Sequence, residues 1–117
     1  MTQSIVLDES ALLALLGGDG ETLRELVRVF AQDGPRRLAQ MRAALDASDL
    51  VALRKAAHTL KGSAGSLCGR STVQAALRLE ETAREGDALK AREQYAAVEA
   101  EAGKLQKALA DLAERKR

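Results

Sequence analysis

The 117 residues carry 18 basic and 17 acidic side chains for a net charge of +1, with 46 % apolar residues, one histidine and one cysteine. A chain of this length builds one core, so a single domain over 1–117 is expected. Balanced charge speaks against nucleic acid as a partner, a lone cysteine excludes an internal disulfide, and no apolar run approaches the ~20 residues that span a bilayer. The amino terminus lacks a charged segment leading into an apolar stretch, so no secretory leader is expected and the predicted location is cytoplasmic.

Ala and Leu dominate the apolar set, and no alternating segment runs beyond a few residues, which predicts an all-α fold. Residues 1–7 read as an extended lead-in. A short helix follows over Asp8–Leu16, with Asp8 or Ser10 as its N-cap and Gly17-Gly18 as its stop. Asp19 caps the next helix, whose stripe Leu23, Leu26, Val27 and Phe30 is interrupted at Gly34-Pro35 and resumed by Leu38, Met41, Ala44 and Leu45. An interior proline kinks or breaks a helix, so this is either one bent helix over 20–46 or two meeting near Asp33.

Ser48 is the expected cap of a helix over 49–67, with Leu50, Leu53, Ala57, Leu60, Ala64 and Leu67 on one stripe. Cys68-Gly69-Arg70 reads as a tight turn, and Ser71-Thr72-Val73-Gln74 has the form of a capping box. The helix it opens carries Val73, Ala76, Leu77 and Leu79-Glu80 and ends at Gly86. Asp87 caps the last helix, roughly 88–114, with Leu89, Ala96 or Ala97, Leu105, Leu109 and Leu112 expected inward. Loops of a few residues between long helices give antiparallel neighbours, hence an up-and-down four-helix bundle with a short extra amino-terminal helix.

The one histidine, His58, lies about 130° from the centre of its helix's apolar stripe at roughly 100° per residue. It therefore points to solvent or to the bundle's edge. Arg54, Lys55 and Lys61 lie one turn away on its face, as does Gly62, with Gly65 a turn further. A glycine inside a helix costs about 1 kcal/mol relative to alanine, so two of them here point to close approach by something large. With no second His or Cys, a paired zinc or haem site lacks its ligands. Neutral imidazole is a nitrogen nucleophile that attacks phosphorus, and cations one turn away stabilise the charge it acquires. Taken alone, an exposed helical histidine is most often only a polar surface residue.

The run His58-Thr59-Leu60-Lys61-Gly62-Ser63-Ala64 changes that balance, because it resembles the motif H-x-L-K-G-[SA]-[SA] of histidine-containing phosphotransfer (HPt) domains. Gly17-Gly18-Asp19 with Leu23 and Phe30, Ala57, and the pair Leu79-Glu80 are similar to further family positions, in the family's order. The resemblance favours the single long second helix and implies a four-helix bundle with an exposed phospho-accepting histidine. His58 would take a phosphoryl group from a receiver-domain aspartate and pass it to another, Lys61 would support that group, and Gly62 would admit the receiver. Partners would be response-regulator receiver domains and a (hybrid) histidine kinase. No ATP site or kinase activity is implied, and no cofactor, since the Mg²⁺ belongs to the receiver. One departure stands out: where the family has glycine ten residues after the histidine, this chain has Cys68.

The leading expectation is a stand-alone, monomeric phosphorelay carrier. Leu12, Leu13 and Leu16 of the first helix are expected to border His58 as part of the receiver-docking surface. Two alternatives are a phosphotransfer domain of a larger histidine kinase, disfavoured by the lack of a linker-like tail, and a helical adaptor that binds receivers without carrying phosphate.

Overall fold

The computed structural model describes residues 5–116, and those residues form five helices and no strand. They are α1 (Glu9–Leu16), α2 (Gly20–Asp46), α3 (Leu50–Ser66), α4 (Arg70–Glu85) and α5 (Ala88–Arg115). α2 to α5 pack in a ring in which α3 touches α2 and α4, and α5 touches α4 and α2. Most of the predicted lead-in, residues 1–4, lies outside the described residues.

α2 runs unbroken through Pro35. The proline forfeits one backbone bond and costs about 3 kcal/mol, but Leu23 and Phe30 before it and Met41, Ala44 and Leu45 after it are all buried. Each such large side chain contributes about 1.5–3 kcal/mol on burial, so packing on both flanks outweighs the missing bond.

Carboxylates close the helix starts where the sequence places them. Asp8 accepts from Ala11 N–H, Asp19 from Glu21 and Thr22, and Asp87 from Lys90. Two serine caps are corrected. Ser48 sits at φ +54° and terminates α2 instead, while Asp49 caps α3 by accepting from Ala52 N–H at 3.0 Å. Helix α4 starts at Arg70 with Gly69 as its N-cap and no side-chain cap. Ser71, the presumed cap, lies inside the first turn, and its N–H donates to the Ile5 carbonyl at 2.9 Å. A backbone oxygen from the amino-terminal segment thus does the work expected of a capping box.

The turn between α3 and α4 repeats the device of Ser48. Cys68 is at φ +60°, and Gly69 N–H donates back to Ala64 O at 2.9 Å. Gly69 leaves no free room for a side chain, because a Cβ there would lie 2.4 Å from Leu105 Cδ2 and force that leucine to move. Helix α1 lies against this turn. Asp8 N–H donates to Cys68 O, the Asp8 carboxylate pairs with Arg70, and Glu9 pairs with Arg115 at the end of α5.

The core stripes of α4 and α5 differ in detail from expectation. Leu89 is 73 % exposed, Leu77 is 39 % exposed, and Ala96 and Ala97 both face solvent. Ala91, Tyr95, Val98 and Ala102 take the inward positions before Leu105, Leu109 and Leu112. Tyr95 tolerates burial because its hydroxyl donates to Leu38 O at 3.2 Å.

Candidate functional site

Helix α3 presents His58 midway along its length, with Leu53, Ala57, Leu60 and Ala64 buried on the opposite face. Those four side chains fix the helix rotation, and the imidazole is left 66 % exposed. One turn later a Cβ on Gly62 would meet nothing within 4 Å, so that glycine serves no helix–helix contact. At Gly65 a Cβ would make only ordinary contact, 3.8 Å from Val73. The surface of α3 after His58 is therefore bare backbone at Gly62 and at Gly65.

The ring is not left to rotate. His58 Nδ1 lies 3.0 Å from Oε2 of Glu80 on α4, and Lys61 Nζ donates to Oε1 of the same carboxylate at 2.6 Å. Arg84 approaches from the next turn of α4, 3.9 Å from Oε2. Glu80 is only 8 % exposed at its side chain. Burial pushes its carboxyl up, but the hydrogen bonds from Lys61 and His58, with their charges, outweigh this and hold it below its ordinary value. A carboxylate only accepts hydrogen bonds, so in the neutral ring Nδ1 carries the proton and Nε2 keeps the lone pair.

The sequence alone assigns Glu80 no role. Its signal was there in the Leu79-Glu80 pair, and more generally in an acidic residue falling on the inward stripe of α4 beside Leu79 and Ala83.

On the amino-terminal side of the ring, Arg54, Lys55, His58, Thr59 and Glu80 line an open hollow of about 350 Å³. Lys55 and Thr59 are also shared with a hollow toward α2, lined by Arg37, Gln40, Ala52 and Ala56. On the flank of α3 facing the first half of α2, an apolar groove of about 340 Å³ is lined by Leu26, Val29, Phe30, Asp33, Ser63, Ser66 and Leu67.

The leucines of α1 do not meet the expectation made for them. Leu12 is 1 % exposed and belongs to the core, so it offers no docking surface. Leu13 and Leu16 are partly buried against that core, and Leu15 is the exposed member at 72 %. None of the three expected leucines lines the hollow beside His58. Helix α1 meets α3 further along, where Ala11 shares a hollow with Gly65 and Cys68.

A family model described as the Hpt domain matches residues 25–115, which span α3, α4, α5 and most of α2. The chain belongs to the Hpt domain family. The fold of this Hpt chain is similar to the crystal structure of histidine-containing phosphotransfer protein B (HptB) from Pseudomonas aeruginosa PAO1. The TM-score is 0.88 at 28 % sequence identity, over 96 % of this chain and 97 % of that one. No curated protein sequence matches the chain. As an Hpt bundle it is a phosphotransfer carrier of phosphorelays, the systems in which such domains work with receiver domains and histidine kinases. No helix of the described residues is long and apolar enough to cross a membrane.

Proposed function

We propose that His58 is the phosphoryl acceptor and donor of this Hpt carrier. The observation that carries this reading is an imidazole 66 % exposed whose Nδ1 faces a buried carboxylate at 3.0 Å. Glu80 accepts a hydrogen bond from Nδ1–H and so presents Nε2 as the nucleophile. In the forward step Nε2 attacks the phosphorus of a receiver's aspartyl phosphate, the Nε2–P bond forms, and the carboxylate leaves. In the return step the imidazole departs neutral because Nδ1 kept its proton throughout. Little else is asked of the carrier, since positioning and electrostatics account for most of phosphoryl-transfer catalysis.

The bare backbone at Gly62 and Gly65 is the landing area for the receiver, flanked by the apolar groove that Leu26 and Val29 border. Leu13 and Leu16 pack α1 against the core. The carrier acts as a cytoplasmic monomer and a single domain, with no ATP site, kinase activity or metal of its own. Its partners are response-regulator receivers and a hybrid histidine kinase.

The test is incubation with a phosphorylated receiver, followed by assay for acid-labile, base-stable phosphate on the carrier. Label is expected on the wild type and absent from His58→Gln. Label that persists in the variant assigns the phosphate to another residue.

A further inference from the structure

Three cations lie one turn from His58 on α3, and the structure divides them into two kinds. Lys61 is committed, since its ammonium sits 2.6 Å from a carboxylate that is only 8 % exposed. Moving it onto a phosphoryl group would strand that carboxylate beside a new dianion, and an unpaired buried charge is among the most costly arrangements in a protein. Arg84 is drawn toward the same carboxylate, at 3.9 Å from its Oε2. Arg54 and Lys55, by contrast, form no ion pair or side-chain hydrogen bond among the described residues. Both line the hollow that His58 and Glu80 close on the other side.

Geometry separates these two as well. The hollow that the imidazole of His58 borders is lined by Arg54 and Lys55 and not by Lys61. Lys55 is exposed and is shared with the hollow on the α2 side, whereas Arg54 is half-buried and lines the histidine's hollow. Its planar guanidinium also offers two parallel donors to two phosphoryl oxygens, a match that an ammonium lacks.

We infer that Arg54, rather than Lys61, is the residue that grips the phosphoryl group on His58, while Lys61 stays with Glu80 as its counter-charge. This assignment rests on the reading of His58 as the phosphorylated residue. Its consequence is a split of function along the helix. The carboxy-terminal turn sets the proton on Nδ1 through Glu80 and Lys61, and the amino-terminal turn holds the charge added at Nε2.

The experiment is exchange with N-phosphoimidazole, followed by ³¹P NMR. Nε2 of His58 bonds to phosphorus as the N–P bond of the donor breaks, and the donor's other ring nitrogen carries a proton, so free imidazole leaves neutral while His58 keeps its proton on Nδ1. Donor and product are both N-phosphoimidazoles, so the exchange constant reads only what the protein adds to the phosphoryl group. Arg54→Gln is expected to move that constant about fivefold toward the free donor, the scale of a partly exposed charge-assisted contact. Arg54→Lys is expected to recover part of the loss, and Arg28→Gln, on the outer face of α2, to leave the constant unchanged. Far-ultraviolet circular dichroism verifies that each variant is folded. A wild-type constant in Arg54→Gln overturns this assignment and leaves His58 in place. No protein-bound ³¹P signal in the wild type, or an equal one in His58→Gln, overturns the parent reading and this assignment together.

Discussion

Lys61 on α3 and Glu80 on α4 meet at 2.6 Å across the helix pair that holds the site, and the lysine side chain is only 25 % exposed. An exposed surface lysine would contribute little stability. The observed pair calls for a different outcome. Lys61→Ala leaves Glu80 with His58 and a distant Arg84, so a loss of about 1–2 kcal/mol is expected, between the values of exposed and fully buried pairs. Urea denaturation measures it, and Lys61→Ala combined with Glu80→Gln should return most of the loss. Equal stability of wild type and Lys61→Ala would mean the pair contributes nothing.

The same carboxylate gives the carrier an acid limb. Glu80 is held below its ordinary value of 4.5, so its contribution is complete above that value and is lost as pH falls through the lower folded one. Stability should therefore decline on acidification in that window, and Glu80→Gln should show a shallower decline. Denaturation midpoints collected from pH 6 down to about pH 3 test this. Parallel curves for the two proteins would contradict the assignment of the shift to Glu80.

Adjacent residues in the α3–α4 turn should respond in opposite directions. Cys68 holds φ +60°, a conformation that costs a non-glycine residue about 1–2 kcal/mol. Cys68→Gly relieves that strain, offset by lost contacts of a partly buried side chain, and is expected to be neutral or stabilising by up to about 1 kcal/mol. Gly69→Ala drives a methyl to 2.4 Å from Leu105 Cδ2. Leu105 is fully buried, so a loss of about 1–3 kcal/mol is expected from overpacking. Thermal melts of the two single variants decide it.

Gly62 should separate stability from transfer. With nothing within 4 Å of a Cβ there, Gly62→Met has room to leave the helix surface and gains helix propensity of about 0.5–1 kcal/mol. Transfer from a phosphorylated receiver should nevertheless slow by about tenfold or more, because bulk now stands one turn from the reacting nitrogen. A more stable variant with an unchanged transfer rate would show that the bare backbone serves no docking role.

Much of this architecture is legible in the chain because its causes are local. Asp8, Asp19 and Asp87 cap helices with their own carboxylates, reaching donors two or three residues ahead. The stripe of α3 and the exposure of His58 follow from 3.6-residue spacing alone. The misreadings have distant causes. Ser48 resembles a cap, but it occupies a left-handed turn residue that is set by the close of α2. Ser71 resembles one too, yet its donor is satisfied by a carbonyl 66 positions earlier in the chain. Glu80 acquires its role only when α3 and α4 are side by side, which no window of sequence displays. The leucines of α1 are indistinguishable by composition, and only docking of that helix decides that Leu12 goes in while Leu15 stays out.

The bond from Ser71 N–H to the Ile5 carbonyl ties the first described residues to the root of the helix that bears Glu80. Tension applied at the head of the chain is thus transmitted to α4 before it reaches any other part of the ring. A tag, surface anchor or fused module attached there would tug on the partner of His58, whereas attachment beyond α5 would load a helix that contributes no group to the histidine's surroundings.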